Sequence, residues 1–216
     1  MYPTLGFIFC SLWYTRMIKQ LYEIIKQERI DQEALMCLVP VLKELNDLDF
    51  YNPAHIYNVL EHSVKAAETV KEPFLRVALI FHDVGKLTTA KQEPHRTIPG
   101  KFVTKFKGHE AESVRITEDI LGALLPEKQL GRLLKLIELH DTQLISDGDE
   151  TLMDNLISTR GTKFVKDLLK IQWADMMTHE QSYYQKMQPK LNHACTRFAQ
   201  KCAALQNNSA AEKIQE

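Results

Sequence analysis

The chain has 216 residues, of which 44% are hydrophobic and 25% charged, a composition typical of one soluble globular domain with a substantial core. Only 8 glycines and 8 prolines are present, which argues against collagen-like, linker-rich and disordered proteins. Lys and Arg number 27 against 28 Asp and Glu, giving a net charge of −1. Any contact with nucleic acid is therefore expected to be local, because wholesale nucleic-acid binders are usually strongly basic.

The first apolar segment, residues 5–14, is too short to span a bilayer. Its positive charges, Arg16 and Lys19, follow the segment, whereas a secretory signal carries them in front. The four cysteines are scattered and form no Cys-x-x-Cys pair, which disfavours a disulfide framework or a zinc ribbon. We expect a cytoplasmic protein with no membrane contact. Met17 is an alternative start of the chain, in which case residues 1–16 would be loosely packed.

Helical periodicity recurs along nearly the whole chain, and no alternating run is long enough to predict an extended sheet. Helices are predicted over 18–29, 31–46, 54–71, 74–83, 109–124, 127–140, 150–158, 162–187 and 190–205. Four prolines are each expected to precede or open a helix: Pro53, Pro73, Pro126 and Pro189.

Residues 86–108 contain two prolines and two glycines, so they cannot form one helix, and a small hairpin around Pro99 and Gly100 is expected. The sequence otherwise shows no repeat and no linker between domains. It predicts one all-α domain that is preceded by an N-terminal helical extension over 1–49. A C-terminal helix with a frayed tail is expected over 187–216.

Several ionisable side chains fall on helix faces that should be apolar. These are His55 and His62 on one face with Val59 and Ala66, His82 with Leu75 and Leu79, His140 with Leu133 and Leu136, and Asp175 with Leu168 and Ile171. Taken singly, each is better explained as a hydrogen-bonded core histidine or a capping aspartate. A buried carboxylate needs a cation, however, and neither Asp83 nor Asp175 has a basic residue on the preceding turn. A metal would satisfy carboxylates and imidazoles together.

Three motifs resemble the HD domain of metal-dependent phosphohydrolases: YNVLEHS at 57–63, FHDVGK at 81–86 and FKGHEAES at 106–113. The third is similar to an element in the HD modules of bacterial tRNA nucleotidyltransferases. The family order H…HD…D is met by His62, His82-Asp83 and Asp175. The resemblance implies an HD domain over 50–186, a helical bundle with a metal site between its central helices. The fifty or so preceding residues are too few for a polymerase head, so no nucleotide addition is expected.

By this resemblance, a first divalent metal is held by His62, His82, Asp83 and Asp175. A second metal would be held by His109 and His140, with Asp83 bridging the two. If only one metal binds, His109 or His140 would instead contact the phosphate or protonate the leaving oxygen. The mixed ligands do not choose between Mn, Fe, Co, Ni, Zn and Mg. The catalytic candidates are Asp83, Lys86, His109 and His140.

Lys86 lies one turn past Asp83 and, by the same resemblance, meets a phosphate oxygen; the alternative is a solvated loop lysine. The segment 86–108 carries six basic residues and one acidic residue beside the expected site. This excess of positive charge favours a surface that receives a phosphorylated substrate, although such loops are often only solvated. The substrate-binding candidates are Lys86, Arg96, Lys101, Lys105 and Lys107.

The leading interpretation is a metal-dependent phosphohydrolase acting on a nucleotide or oligonucleotide phosphoester, with 2′,3′-cyclic phosphodiesterase or nucleotidase activity as the finer hypothesis. The alternative is a non-catalytic RNA- or nucleotide-binding module of the same family. A purely structural helical protein with an incidental cluster ranks below both. The expected partner is a phosphorylated nucleotide or a short RNA. Apolar faces on 18–29 and 190–205 leave a homodimer open.

Overall fold

The computed structural model describes residues 16–145 and 148–212, which form helices and one hairpin. The helices are α1 (16–25), α2 (Gln32–Leu38), α3 (Val41–Asn46), α4 (Val59–Glu68), α5 (Pro73–Phe81), α6 (Lys86–Thr89), α7 (His109–Leu121), α8 (Glu127–Glu138), α9 (Thr151–Arg160), α10 (Thr162–Met176) and α11 (Gln181–Glu212). The strands are β1 (Lys91–Pro94) and β2 (Phe102–Lys105). The predicted all-α fold is confirmed.

Helix α5 lies at the centre of the bundle and contacts α4, α8 and α10. Every residue from Leu75 to Phe81 is buried, so this helix is enclosed on all sides. Its one charged residue, Arg76, satisfies three backbone carbonyls, of Ile25, Gln27 and Val70, at 2.6–2.7 Å. The guanidinium thereby ties the end of α1 to the connection between α4 and α5.

Two predicted helices are shorter than their apolar periodicity suggested. The segment 31–46 is interrupted at Pro40, which has no amide proton to continue α2 and instead caps α3. The predicted helix 54–71 begins only at Val59, because the side chain of Asn58 accepts the amide proton of Glu61 and caps α4. The prediction that His55 shares the helical face of His62 is therefore wrong, since His55 lies in the preceding loop.

The prediction of one helix over 162–187 is also wrong. Helix α10 ends at Met176, the chain turns, and α11 begins at Gln181 and continues through Pro189 to Glu212. Pro189 therefore lies inside a helix and does not open one. Helix α11 crosses the domain boundary expected at 187 and extends past the start of the tail predicted to be frayed. The expectation for residues 1–16 falls almost wholly outside the described residues.

The hairpin expected around Pro99 and Gly100 is present. Strands β1 and β2 pair antiparallel, with Lys91 opposite Lys105 and Pro94 opposite Phe102. The hairpin is tied to the segment before α4, because the amide of Thr104 donates to the carbonyl of Tyr51 at 2.7 Å. Within residues 16–145 and 148–212, we find no helix with both the length and the apolar character required to cross a membrane.

Candidate metal centre

Six ionisable side chains from five parts of the bundle converge in its interior. His62 projects from α4, His82 and Asp83 follow α5, His109 opens α7, His140 follows α8, and Asp175 lies near the end of α10. All six residues are buried. The structure thus brings together every residue that the sequence predicted as a metal ligand.

Asp83 lies between two groups of histidines. Its Oδ2 atom is 3.6 Å from His62 Nε2 and 3.3 Å from His82 Nε2. Its Oδ1 atom is 3.2 Å from His109 Nε2 and 3.7 Å from His140 Nε2. Asp175 belongs to the first group, with Oδ1 2.7 Å from His62 Nε2 and 3.4 Å from His82 Nε2. Asp83 thus belongs to two groups of side chains that could each hold a metal ion, one with His62 and His82 and one with His109 and His140.

A glycine allows the two groups to approach. Gly85 follows the His82–Asp83 turn, and its amide donates to Ser113 Oγ of α7 at 2.9 Å. A Cβ atom at this position would lie 2.2 Å from the carbonyl oxygen of His109 and 2.4 Å from the amide nitrogen of Ser113. The first turn of α7 can therefore rest on this turn only because residue 85 has no side chain.

The ring orientation of three histidines is fixed by backbone carbonyls. The Nδ1 atoms of His82, His109 and His140 lie 2.6, 2.9 and 2.7 Å from the carbonyl oxygens of Leu79, Phe106 and Ile137. A carbonyl only accepts, so each Nδ1 carries a proton and donates it. In a neutral ring the Nε2 atom then bears the lone pair, and all three Nε2 atoms face the carboxylates.

These lone pairs need a cation. The Nε2 atoms of His109 and His140 are 3.2 Å apart, although neither neutral ring has a proton to place between them. His82 Nε2 and Asp83 Oδ1 are buried and find no hydrogen-bond partner within the described part of the chain. Nitrogen and carboxylate donors in this mixture suit a borderline divalent cation, so the residues present fit a metal centre.

The pKa values of the clustered side chains also favour a bound positive charge. Burial alone would lower the pKa of His82, but the charges of Asp83 and Asp175 outweigh it and raise this pKa to about 10. Burial likewise opposes ionisation of Asp83, yet His82 and Lys86 hold its pKa well below the ordinary value. The carboxylates are thus ionised, and the interior attracts positive charge, as a proton or as a metal.

Lys86 is buried, and its Nζ atom donates to Asp83 Oδ2 at 2.6 Å. The same ammonium lies 5.3 Å from the centre of the Phe106 ring. The alternative of a solvated loop lysine is therefore wrong. The ion pair joins residues three apart in the chain, a spacing from which it could have been predicted.

A cavity of about 440 Å³ opens onto the cluster, and its lining includes Asp83, Lys86, His109, His140 and Asp175. Of the predicted substrate-binding residues, Lys105 and Lys107 also line it. Arg96 and Lys101 lie in the exposed turn of the hairpin and are not among the described residues that line this cavity.

The cavity lining also includes aromatic rings. The rings of His179 and Tyr183 are stacked with centres 4.6 Å apart, and His55 lies 4.7 Å from His179. The sequence analysis placed His55 beside His62 but did not include Tyr183. His179 lies in the turn between α10 and α11 and Tyr183 in the first turn of α11, so no local helical pattern indicated this stack.

The family model of the HD domain matches residues 54–194, well over half of the chain. All six clustered residues fall within that match. No curated protein matches the chain.

Proposed function

The chain belongs to the HD domain family, whose members are typically metal-dependent hydrolases, and from this premise we propose that it hydrolyses a nucleotide or oligonucleotide phosphoester. The observation that carries the proposal is the cluster itself. Four imidazoles present Nε2 atoms to two ionised carboxylates in a buried site that opens to a cavity. A purely structural core would not gather unpaired lone pairs in this way.

We assign the ligands by their grouping around Asp83. One cation would be held by His62, His82, Asp83 and Asp175, and a second by Asp83, His109 and His140. Bound divalent cations supply Lewis-acid polarisation of a phosphoryl oxygen and lower the pKa of water. Asp83 contributes its charge to both sites, and the carbonyl-bound histidines keep their Nε2 atoms directed inward.

Lys86 has a separate role in this proposal. One ammonium proton is donated to Asp83, and two further protons remain for a phosphoryl oxygen in the adjoining cavity. Because Lys86 is buried, its charge is little screened and would be felt strongly by a bound phosphate.

The number of cations decides the role of His140. With two cations, His140 is a ligand, and His140→Ala should remove one metal equivalent per chain. With one cation, the variant should keep full occupancy and lose activity, because His140 would then act as a general acid or a phosphate contact. Elemental analysis of the variant separates these two roles.

The lining of the cavity supports a nucleotide as the substrate. It includes two lysines, Lys105 and Lys107, and the stacked rings of His179 and Tyr183. A phosphate group and a nucleobase have matching chemistry, since bases stack on aromatic side chains. The similarity of residues 106–113 to an element of tRNA nucleotidyltransferase HD modules favours an RNA-derived substrate. Activity as a 2′,3′-cyclic phosphodiesterase or a nucleotidase is the finer form of this proposal.

Metal content and turnover test the proposal together. Wild type, Asp83→Ala and the control Asp119→Ala, which removes an exposed carboxylate of α7, are equilibrated with manganese and desalted. We expect about two equivalents in wild type and the control, and loss in Asp83→Ala. The proteins are then assayed with a 2′,3′-cyclic nucleotide, a nucleoside monophosphate and bis(p-nitrophenyl) phosphate.

Three outcomes are distinguished. Metal binding with turnover that depends on Asp83 supports the hydrolase. Metal binding without turnover of any of the three compounds favours the alternative, a nucleotide-binding module. Equal metal content in wild type and Asp83→Ala contradicts the assignment of the ligands.

A further inference from the structure

One histidine of the centre obtains its Nδ1 partner differently from the other three. His82, His109 and His140 each donate to the carbonyl three residues earlier, next to a helix end. His62 lies inside α4, where backbone carbonyls accept from amides of the following turn; the amide of His62 itself donates to Asn58. No comparable carbonyl is free for its ring, so the partner must come from another part of the fold.

That partner is Thr178, a buried residue in the turn after α10. Its Oγ1 atom lies 2.7 Å from the carbonyl oxygen of Asp175 and 2.9 Å from His62 Nδ1. A hydroxyl has one proton, and the carbonyl can only accept, so the proton of Thr178 is donated to Asp175. The hydroxyl oxygen can then accept from His62, and in this arrangement Nδ1 is the protonated nitrogen.

This direction of hydrogen bonding determines what His62 presents to the centre. With Nδ1 protonated, the Nε2 atom of the neutral ring is the one that can hold a cation, and it lies 2.7 Å from Asp175 Oδ1 and 3.6 Å from Asp83 Oδ2. Without a cation, the 2.7 Å contact is a hydrogen bond that needs a proton on Nε2, because the ionised carboxylate only accepts. If the hydroxyl proton were free to turn to Nδ1, Nε2 would keep its own proton and donate it to Asp175. That proton would have to leave before a cation could bind.

We propose that Thr178 is a positioning residue that fixes the tautomer and ring orientation of His62 and thereby strengthens binding of a divalent cation between α4 and α10. The inference rests on the metal centre proposed above. Thr178 also holds the backbone of Asp175, so one hydroxyl contacts His62 of α4 and the main chain of Asp175 in α10. Partners of this kind typically contribute 10- to 100-fold to metal affinity.

The test compares three variants with wild type. Thr178→Val removes the hydroxyl and keeps the shape, Thr178→Ser keeps the hydroxyl, and Thr117→Val removes a buried hydroxyl that has no partner among the described residues. Zinc affinity is measured by competition with a chelator. We expect Thr178→Val to bind zinc about 10- to 100-fold more weakly. Thr178→Ser and Thr117→Val should stay within about threefold of wild type.

A spectroscopic readout accompanies the affinities. Long-range ¹H–¹⁵N correlation spectra of the metal-free proteins should show His62 with a protonated Nδ1 in wild type and Thr178→Ser. The metal-free Thr178→Val protein should show a shift toward protonated Nε2. Thermal unfolding confirms that each variant is folded, and Thr178→Ala replaces the valine variant if the latter does not fold.

The role of Thr178 and the metal centre can each be refuted by a different outcome. If Thr178→Val binds zinc as tightly as Thr117→Val, or if His62 keeps the same tautomer without the hydroxyl, the role of Thr178 is refuted and the metal centre stands. If wild type binds neither zinc nor manganese, both the centre and the role of Thr178 are refuted.

Discussion

Gly85 lies where the turn carrying His82 and Asp83 meets the first turn of α7, and replacing it with alanine should damage both the fold and the centre. Its φ of −68° and ψ of −14° are open to any residue, so the substitution adds no backbone strain. The substitution is unfavourable only because the new side chain clashes with α7. The new Cβ would lie 2.2 Å from the carbonyl oxygen of His109, 2.4 Å from the amide nitrogen of Ser113 and 2.8 Å from Glu112 Cβ.

These distances set the loss of stability expected for Gly85→Ala. Two of the three opposing atoms belong to backbone, so α7 must retreat by about 1 Å before the closest distance approaches ordinary van der Waals contact. Overpacking of this kind costs about 1–3 kcal/mol. The hydrogen bond from the Gly85 amide to Ser113 Oγ would also be stretched, and leaving that buried donor unpaired costs about 1–3 kcal/mol more. We therefore expect Gly85→Ala to lower the free energy of unfolding by about 2–6 kcal/mol.

The same displacement moves His109 away from Asp83, so the variant should also lose the second metal equivalent. Urea unfolding followed by circular dichroism measures the first effect, and elemental analysis after manganese loading measures the second. Gly131→Ala is the matched control, because a Cβ there meets none of the described atoms within 4 Å inside α8. It should raise stability by about 0.5–1 kcal/mol. A Gly85→Ala protein with wild-type stability and metal content would refute the reasoning.

Three further predictions concern other parts of the molecule. Arg76→Met removes the donor from three backbone carbonyls, two of them in buried contacts, and should cost about 3 kcal/mol of unfolding free energy, measured in urea. A loss below about 1 kcal/mol would contradict the role of Arg76. Burial, and then the charge of Lys86, lower the pKa of His55 to about 3, so the unfolded chain binds a proton there that the folded chain does not. Stability should fall as the pH drops from about 6.5 toward 3, by up to about 1.4 kcal/mol per unit, and His55→Phe should weaken this dependence. If the free energy of unfolding depends on pH equally in His55→Phe and in wild type, His55 is not the cause of the dependence. Neutralising Lys105 and Lys107, which line the cavity, should raise KM for a nucleotide several-fold, whereas Lys101→Met should not. An equal rise of KM in both cases would contradict a specific role for the two lysines that line the cavity.

Local pattern was sufficient to predict much of the centre. His82 and Asp83 follow an apolar helix, and Asp175 ends the stripe of Leu168 and Ile171, so periodicity alone directed these side chains inward. The order of the motifs then grouped residues that are far apart in the chain. The fold class followed from the same periodicity, since nearly every segment repeated its apolar residues at helical spacing.

Other features depend on tertiary contacts that no local pattern contains. Thr178 meets His62 across 116 residues, and that pairing exists only because α10 packs on α4. Pro189 was expected to open a helix, but α11 continues through it. The low helix propensity of proline predicts a helix boundary only weakly, because tertiary packing can override it. The interruption at Pro40 was a local signal, however, and could have been predicted from its missing amide proton.

Because His62 and Asp175 are separated by 113 residues, the two ends of the centre meet only when nearly the whole bundle has assembled. A cation held there would link His62 and Asp175 only after the segment between them has folded. It would therefore bind the native state far more tightly than the unfolded chain. At a free cation concentration a thousandfold above Kd, this linkage adds about 4 kcal/mol to the free energy of unfolding. The lifetime of the protein against unfolding and proteolysis would then follow the supply of metal in its surroundings.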